Sequence, residues 1–141
     1  MIQRIQSLWL LIVAIAAFAT YTLTLYSGKL PDGTVRDFLL ADNFLLVIVI
    51  IALGLLALVC LILFKNRKLQ FRLSIFGVLF SLGFIFLEYL KVEGFKQDNG
   101  VVSGSYQLGA LLPIVMVVFF IMAARGIYKD EKLIKSMNRL R

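Results

Sequence analysis

Histidine is absent from the chain. Its absence removes the side chain that most often acts as a general base near neutral pH, and a frequent metal ligand. There is one cysteine, Cys60, set inside an apolar run, so neither an internal disulfide nor a paired-cysteine site can form. It reads as a small hydrophobe, and the redox compartment is not readable from it. No glycine-rich phosphate loop, zinc-ligand spacing or nucleophile elbow occurs, and no repeat of about 34–45 residues is visible. No catalytic, cofactor-binding or metal-binding residue can be nominated. The expectation is a protein that is not an enzyme and carries no cofactor.

Charge is missing from long stretches. Apolar residues make up 61% of the 141 positions, and the mean hydropathy is +0.94. A soluble domain holds about 45–50% apolar residues, and a chain this short cannot hide the excess from water, so lipid is the expected solvent. Uncharged runs extend from Ile5 to Gly28, Asn43 to Phe64, Leu73 to Leu87 and Asn99 to Ala124. A spanning helix needs about 20 residues. The third run reaches that only by taking in Phe71, Arg72, Glu88, Tyr89 and Leu90, with the charged pair reaching toward headgroups. The expected spans cover about residues 5–27, 43–64, 71–90 and 108–128, in a single membrane domain over 1–141 with a helical tail over 125–141. Arg4 and the Ala17-Phe18-Ala19 tripeptide imitate a cleaved leader. The apolar run continues through Tyr21, Leu23 and Leu25, too long for one, so the first segment is expected to be a span.

Basic residues are unevenly placed. Arg4, the group Lys65, Arg67, Lys68 and Arg72, and the group Arg125, Lys129, Lys132, Lys135, Arg139 and Arg141 fall on one side of the spans. Lys29, Arg36, Lys91 and Lys96 fall on the other, with most of the acids. The positive-inside rule then puts both termini and the short middle loop in the cytoplasm. The net charge of +7 is accounted for by this topology, so nucleic acid is not expected as a partner. Trp9, Tyr21, Tyr26, Tyr89, Tyr106 and Tyr128 lie near the expected span ends, where amphipathic rings prefer to sit.

The outer loops carry β and turn chemistry. Thr20, Thr22 and Thr24 alternate with apolar residues, and Pro31-Asp32-Gly33 and Asp98-Asn99-Gly100 are turn signals. A small β-ribbon and two irregular loops both fit. In the tail, Leu133, Ile134, Met137 and Leu140 form an apolar stripe, with Arg125, Lys129, Lys132, Lys135, Arg139 and Arg141 around it. Such a helix suits an anionic lipid surface or a groove on a membrane-protein partner.

Ion pathways need polar groups at mid-membrane, and the runs hold no central carboxylate. Glu88 is the nearest, at the outer end of the third span, and Lys91 three residues on is placed to pair with it. Ser74, Gly77 and Ser81, with Gly83 nearby, form a small-residue stripe of the kind that lets helices pack closely. Pro113 either bends the fourth helix or, if the helix starts near Leu111, sits harmlessly in its first turn.

The opening Met1-Ile2-Gln3-Arg4-Ile5-Gln6-Ser7-Leu8, the segment Gly104-Ser105-Tyr106-Gln107-Leu108-Gly109-Ala110-Leu111-Leu112-Pro113 and the close from Arg125-Gly126-Ile127-Tyr128 to Arg141 resemble a family of short four-helix membrane proteins of Bacteroidota. The family is one of unknown function. The resemblance covers the whole length. It implies four helices and a cytoplasmic-membrane location but no activity, so no functional residue is carried over. The expected fold is an all-α bundle of four transmembrane helices in the bacterial inner membrane. The expected role is a non-catalytic accessory or scaffold subunit, with oligomerisation left open. The alternative is a small transporter or channel acting as an oligomer. The four-helix multidrug exporters resemble the chain in size, but they depend on an acidic residue in the first helix, and here there is none.

Overall fold

The computed structural model describes residues 3–138. It contains helix α1 (Gln3–Thr22), strands β1 (Thr24–Lys29) and β2 (Val35–Leu39), α2 (Phe44–Ile62), α3 (Arg67–Asn99), β3 (Ser103–Tyr106) and α4 (Leu108–Asn138). All four helices are long and apolar enough to cross a membrane. Each packs against its neighbours in sequence, and α4 packs back against α1, closing a ring of four. Only 28–33% of each apolar window is buried inside the bundle, and large side chains such as Phe18, Phe44 and Ile62 stand 79%, 79% and 72% exposed. An apolar exterior of that extent is foreign to a soluble monomer.

The strands form one antiparallel sheet in the order β2-β1-β3. It draws on both the α1–α2 and α3–α4 connections, so those connections meet at one end of the bundle, here the sheet end. Those two connections therefore form a three-stranded ribbon rather than irregular loops. Pro31-Asp32-Gly33 makes the β1–β2 turn: Gly33 N–H bonds to the Leu30 carbonyl, and Gly33 takes the positive φ of 80° that a side chain resists. α1 ends at Thr22, short of the expected position 27, because Thr24–Lys29 pairs as a strand on both edges. Tyr26 thus lies buried in the sheet instead of at a helix end.

α3 runs beyond its expected limits in both directions. At its far end Gly100 adopts φ 60°, and Val101 N–H bonds back to the Lys96 carbonyl, a left-handed cap that satisfies the last carbonyls. Asn43 starts α2 by accepting from the Leu46 N–H. α4 begins at Leu108, which places Pro113 beyond the first turn and inside the helix, and removes the N–H that the Gly109 carbonyl would receive.

The buried face of α3 carries Gln70, Ser74, Gly77, Ser81, Phe84, Glu88 and Val92, at the three-and-four spacing of a helix stripe. Ser74 and Ser81 donate to the Gln70 and Gly77 carbonyls one turn back, so neither hydroxyl needs a partner on another helix. Gly77 lies under the ring of Phe120 on α4, and a Cβ there would come within 2.6 Å of Cε1. Gly77→Leu should therefore lower stability by about 1–3 kcal/mol. Adding Phe120→Ala should restore part of the loss. Thermal melts of both variants in detergent check this, and a strictly additive pair would show that the ring does not set the α3–α4 spacing.

Candidate functional site

The end opposite the sheet gathers buried polar contacts that join distant parts of the chain. Gln6 on α1 donates through Nε2 to Asp130 Oδ2 on α4 at 2.6 Å, and Arg67 at the start of α3 meets the same oxygen at 3.3 Å. Gln6 and Asp130 are both only 6% exposed. Gly126, one turn before Asp130, provides the room, because a Cβ there would stand 2.8 Å from Gln6 Cγ. Nearby, Gln70 donates to the Cys60 carbonyl at 3.0 Å and closes the α2–α3 corner. Trp9 stacks on Phe119, and Phe71 lies against Tyr128. α4 is thus held to α1 and α3 at the point where it leaves the bundle.

Beyond that node α4 continues to Asn138. Arg125, Lys129, Lys132 and Lys135 are exposed, and Lys135 pairs with Glu131 at 2.9 Å. Arg139, Arg141 and Leu140 lie outside the described residues. Leu133, Ile134 and Met137 are 46%, 45% and 69% exposed. Lys65, Lys68 and Arg72, also exposed, add positive charge at the same end. Chemically this is a cationic surface with an apolar seam, suited to anionic headgroups or to an acidic, partly apolar protein segment. Of the other sequence candidates, Ser74, Gly77 and Ser81 lie within the bundle and Pro113 is buried near the sheet end of α4, so neither group joins this surface.

Two other features stand apart. Between α1 and α2 runs an apolar groove of about 600 Å³, lined by Ala14, Ala17, Phe18, Ile50, Gly54 and Leu58 among others. At the sheet end, Tyr26, Phe38, Phe95 and Tyr106 form an aromatic cluster, and Lys96 lies over both tyrosine rings. Burial raises the Tyr106 phenol pKa above its usual value, and Lys96 works in the opposite direction. The expected Glu88–Lys91 ion pair does not form. Glu88 is 3% exposed and turned inward, its Oε1 has no hydrogen-bond partner, and Lys96 instead takes the acid one turn closer, Glu93. Three residues apart puts two side chains on neighbouring positions of the helix. Here the bundle interior claims one of them.

Sequence reasoning passed over Gln6, Gln70 and Asp130. The available signal was an acid within a basic tail and two glutamines in otherwise apolar or basic surroundings. Among the described residues, no group of three His, Cys, Asp or Glu side chains lies close enough to hold a metal ion.

Residues 2–140 match the family described as a domain of unknown function (DUF4293), and the chain belongs to that family. No curated protein and no solved structure matches it.

Asp130→Ala should cost about 1–3 kcal/mol, because it leaves the buried Gln6 amide without its acceptor and Arg67 without its anion. Lys132→Ala, on the exposed tail, should change stability by no more than about 0.5 kcal/mol. Detergent melts of the two variants compare them directly, and equal effects would dismiss the node as a structural tie.

Proposed function

We propose that this member of the family is a multi-pass protein of the bacterial cytoplasmic membrane, with both termini in the cytoplasm, that serves as a non-catalytic accessory or scaffold subunit. The observation that carries this reading is the uninterrupted length of α4. Its 31 residues make about 46 Å of helix at 1.5 Å per residue, against a hydrocarbon core of roughly 30 Å. The surplus carries Lys129, Lys132 and Lys135 beside the exposed Leu133, Ile134 and Met137. The Gln6–Asp130–Arg67 contacts anchor the base of that surplus to two other helices, so a partner bound there is held at a set position relative to the bundle. Rigid presentation of this kind lowers the ordering cost of binding. Anionic headgroups meet the same lysines where the helix leaves the membrane.

A small transporter or channel acting as an oligomer is the second reading, and the buried, unpaired Glu88 is the observation that favours it.

The triple change Lys129→Glu, Lys132→Glu and Lys135→Glu separates docking from simple anchoring. Gentle detergent extraction of the tagged parent should recover a stoichiometric protein partner, and the variant should lose it while all four helices still insert. Recovery of self-oligomers alone, unchanged in the variant, would overturn the accessory role. Reporter fusions at the carboxyl terminus should read cytoplasmic. A periplasmic signal would overturn the orientation.

A further inference from the structure

Glu88 is the one buried side chain among the described residues with a polar atom that lacks a hydrogen-bond partner. It sits on the buried face of α3 between Phe84 and Val92, which are both fully buried. No counter-charge is supplied from the helices around it. α1 is uncharged from Ile5 to Thr22, α2 from Phe44 to Ile62 and α4 from Leu108 to Ala124. At that end the phenols are Tyr21, Tyr26, Tyr89 and Tyr106, the other acids Asp32, Asp37, Asp42, Glu93 and Asp98, and the cations Lys29, Arg36, Lys91 and Lys96. Among the described residues no cation forms an ion pair with Glu88. Lys96 is tied to Glu93 and stacked on two rings, Arg36 donates to Asn99 at 2.6 Å, and Lys91 makes no ion pair with Glu88.

We propose that Glu88 is a proton-binding site of the bundle, its carboxyl held as the neutral acid near neutral pH and its proton exchangeable with water. An isolated carboxylate in apolar surroundings is far costlier than a carboxylic acid in the same place, and a buried group without a partner answers by taking up a proton. Proton relays are among the functional roles that ionisable groups inside spanning helices take. Once the proton leaves, the charge stands between Phe84 and Val92, where only entering water or a movement of α3 can solvate it. Proton occupancy is thereby linked to the packing of α3 against its neighbours. The inference is independent of docking through the tail.

Infrared spectra of the full-length protein in detergent test it. The parent at neutral pH should show the carbonyl stretch of a protonated carboxylic acid. The band should move down on transfer to deuterated buffer and be lost in Glu88→Gln. Gln is a neutral near-isostere, so this variant should melt with the parent. A second measurement needs no variant. A hydrophobic carbodiimide reacts with a protonated carboxyl: the acid O–H adds across one C=N bond, and the acyl group then shifts to nitrogen, so the whole reagent stays attached as an N-acylurea and nothing leaves. Peptide mapping should find that adduct on Glu88. Parent and Glu88→Gln spectra that coincide in the acid-carbonyl region, or a Glu88 peptide unmodified under conditions that label a protonated membrane carboxyl in a control protein, would overturn the proposal.

Discussion

A hydrocarbon layer roughly 30 Å thick accepts about 20 residues of helix, and α1 and α2 have 20 and 19. α3 and α4 have 33 and 31, so on the membrane reading each must protrude. They do so at opposite ends. α3 starts level with the end of α2 and overshoots toward the sheet, where Val92 is buried, Phe95 packs against Tyr26 and Phe38, and Asn99 accepts from Arg36. α4 starts beneath the sheet and overshoots at the other end, carrying the lysines with it. The sheet has a helical support because one helix is too long, and the cationic surface exists because another is. Both features follow from the mismatch between helix length and layer thickness.

On the same reading, cohesion within the ring cannot come from the hydrophobic effect, since lipid is as apolar as leucine. Close approach and polar ties have to supply it. Gly77 beneath Phe120 is the close approach between α3 and α4. Gly109 is another, its α-carbon so near the Thr24 carbonyl that a Cβ would come within 2.5 Å, which fits the sheet onto the first turn of α4. The polar ties are few. Ser74 and Ser81 donate back to carbonyls of their own helix, whereas Gln70 and the Gln6–Asp130–Arg67 group reach across helices. Through a single oxygen Asp130 accepts a hydrogen bond from α1 and forms an ion pair with α3.

Glu88 and Asp130 are both buried acids, and they differ in what surrounds them. Asp130 has an amide and a guanidinium, so its charge is balanced where it stands. Glu88 has aromatic and aliphatic neighbours and phenols at a distance. The same side-chain chemistry is a structural tie at one end of the bundle and a group in need of a proton at the other. Neither fate was legible beforehand. Spacing along α3 permitted a pair with Lys91, and the composition of the tail made Asp130 look like one acid among many bases.

Local chemistry carried the larger pattern. The threonine alternation was a weaker guide, since Thr20 and Thr22 finish α1 and only Thr24 enters a strand. Long apolar runs, the third with its charged flanks, specify four helices and Pro31-Asp32-Gly33 specifies a turn, because each depends on a few neighbouring residues and on the solvent they require. The amphipathic stripe of the tail was readable for the same reason. Helix ends were not, since α1 stops where β1 gains two strand partners and α3 continues where the sheet covers it, and both depend on residues tens of positions away. Which member of an eligible pair turns inward, which acid meets which base and which glycine lies beneath which ring are likewise decided by the packing of helices against each other. A one-dimensional pattern names the faces of a helix but not the face it will meet.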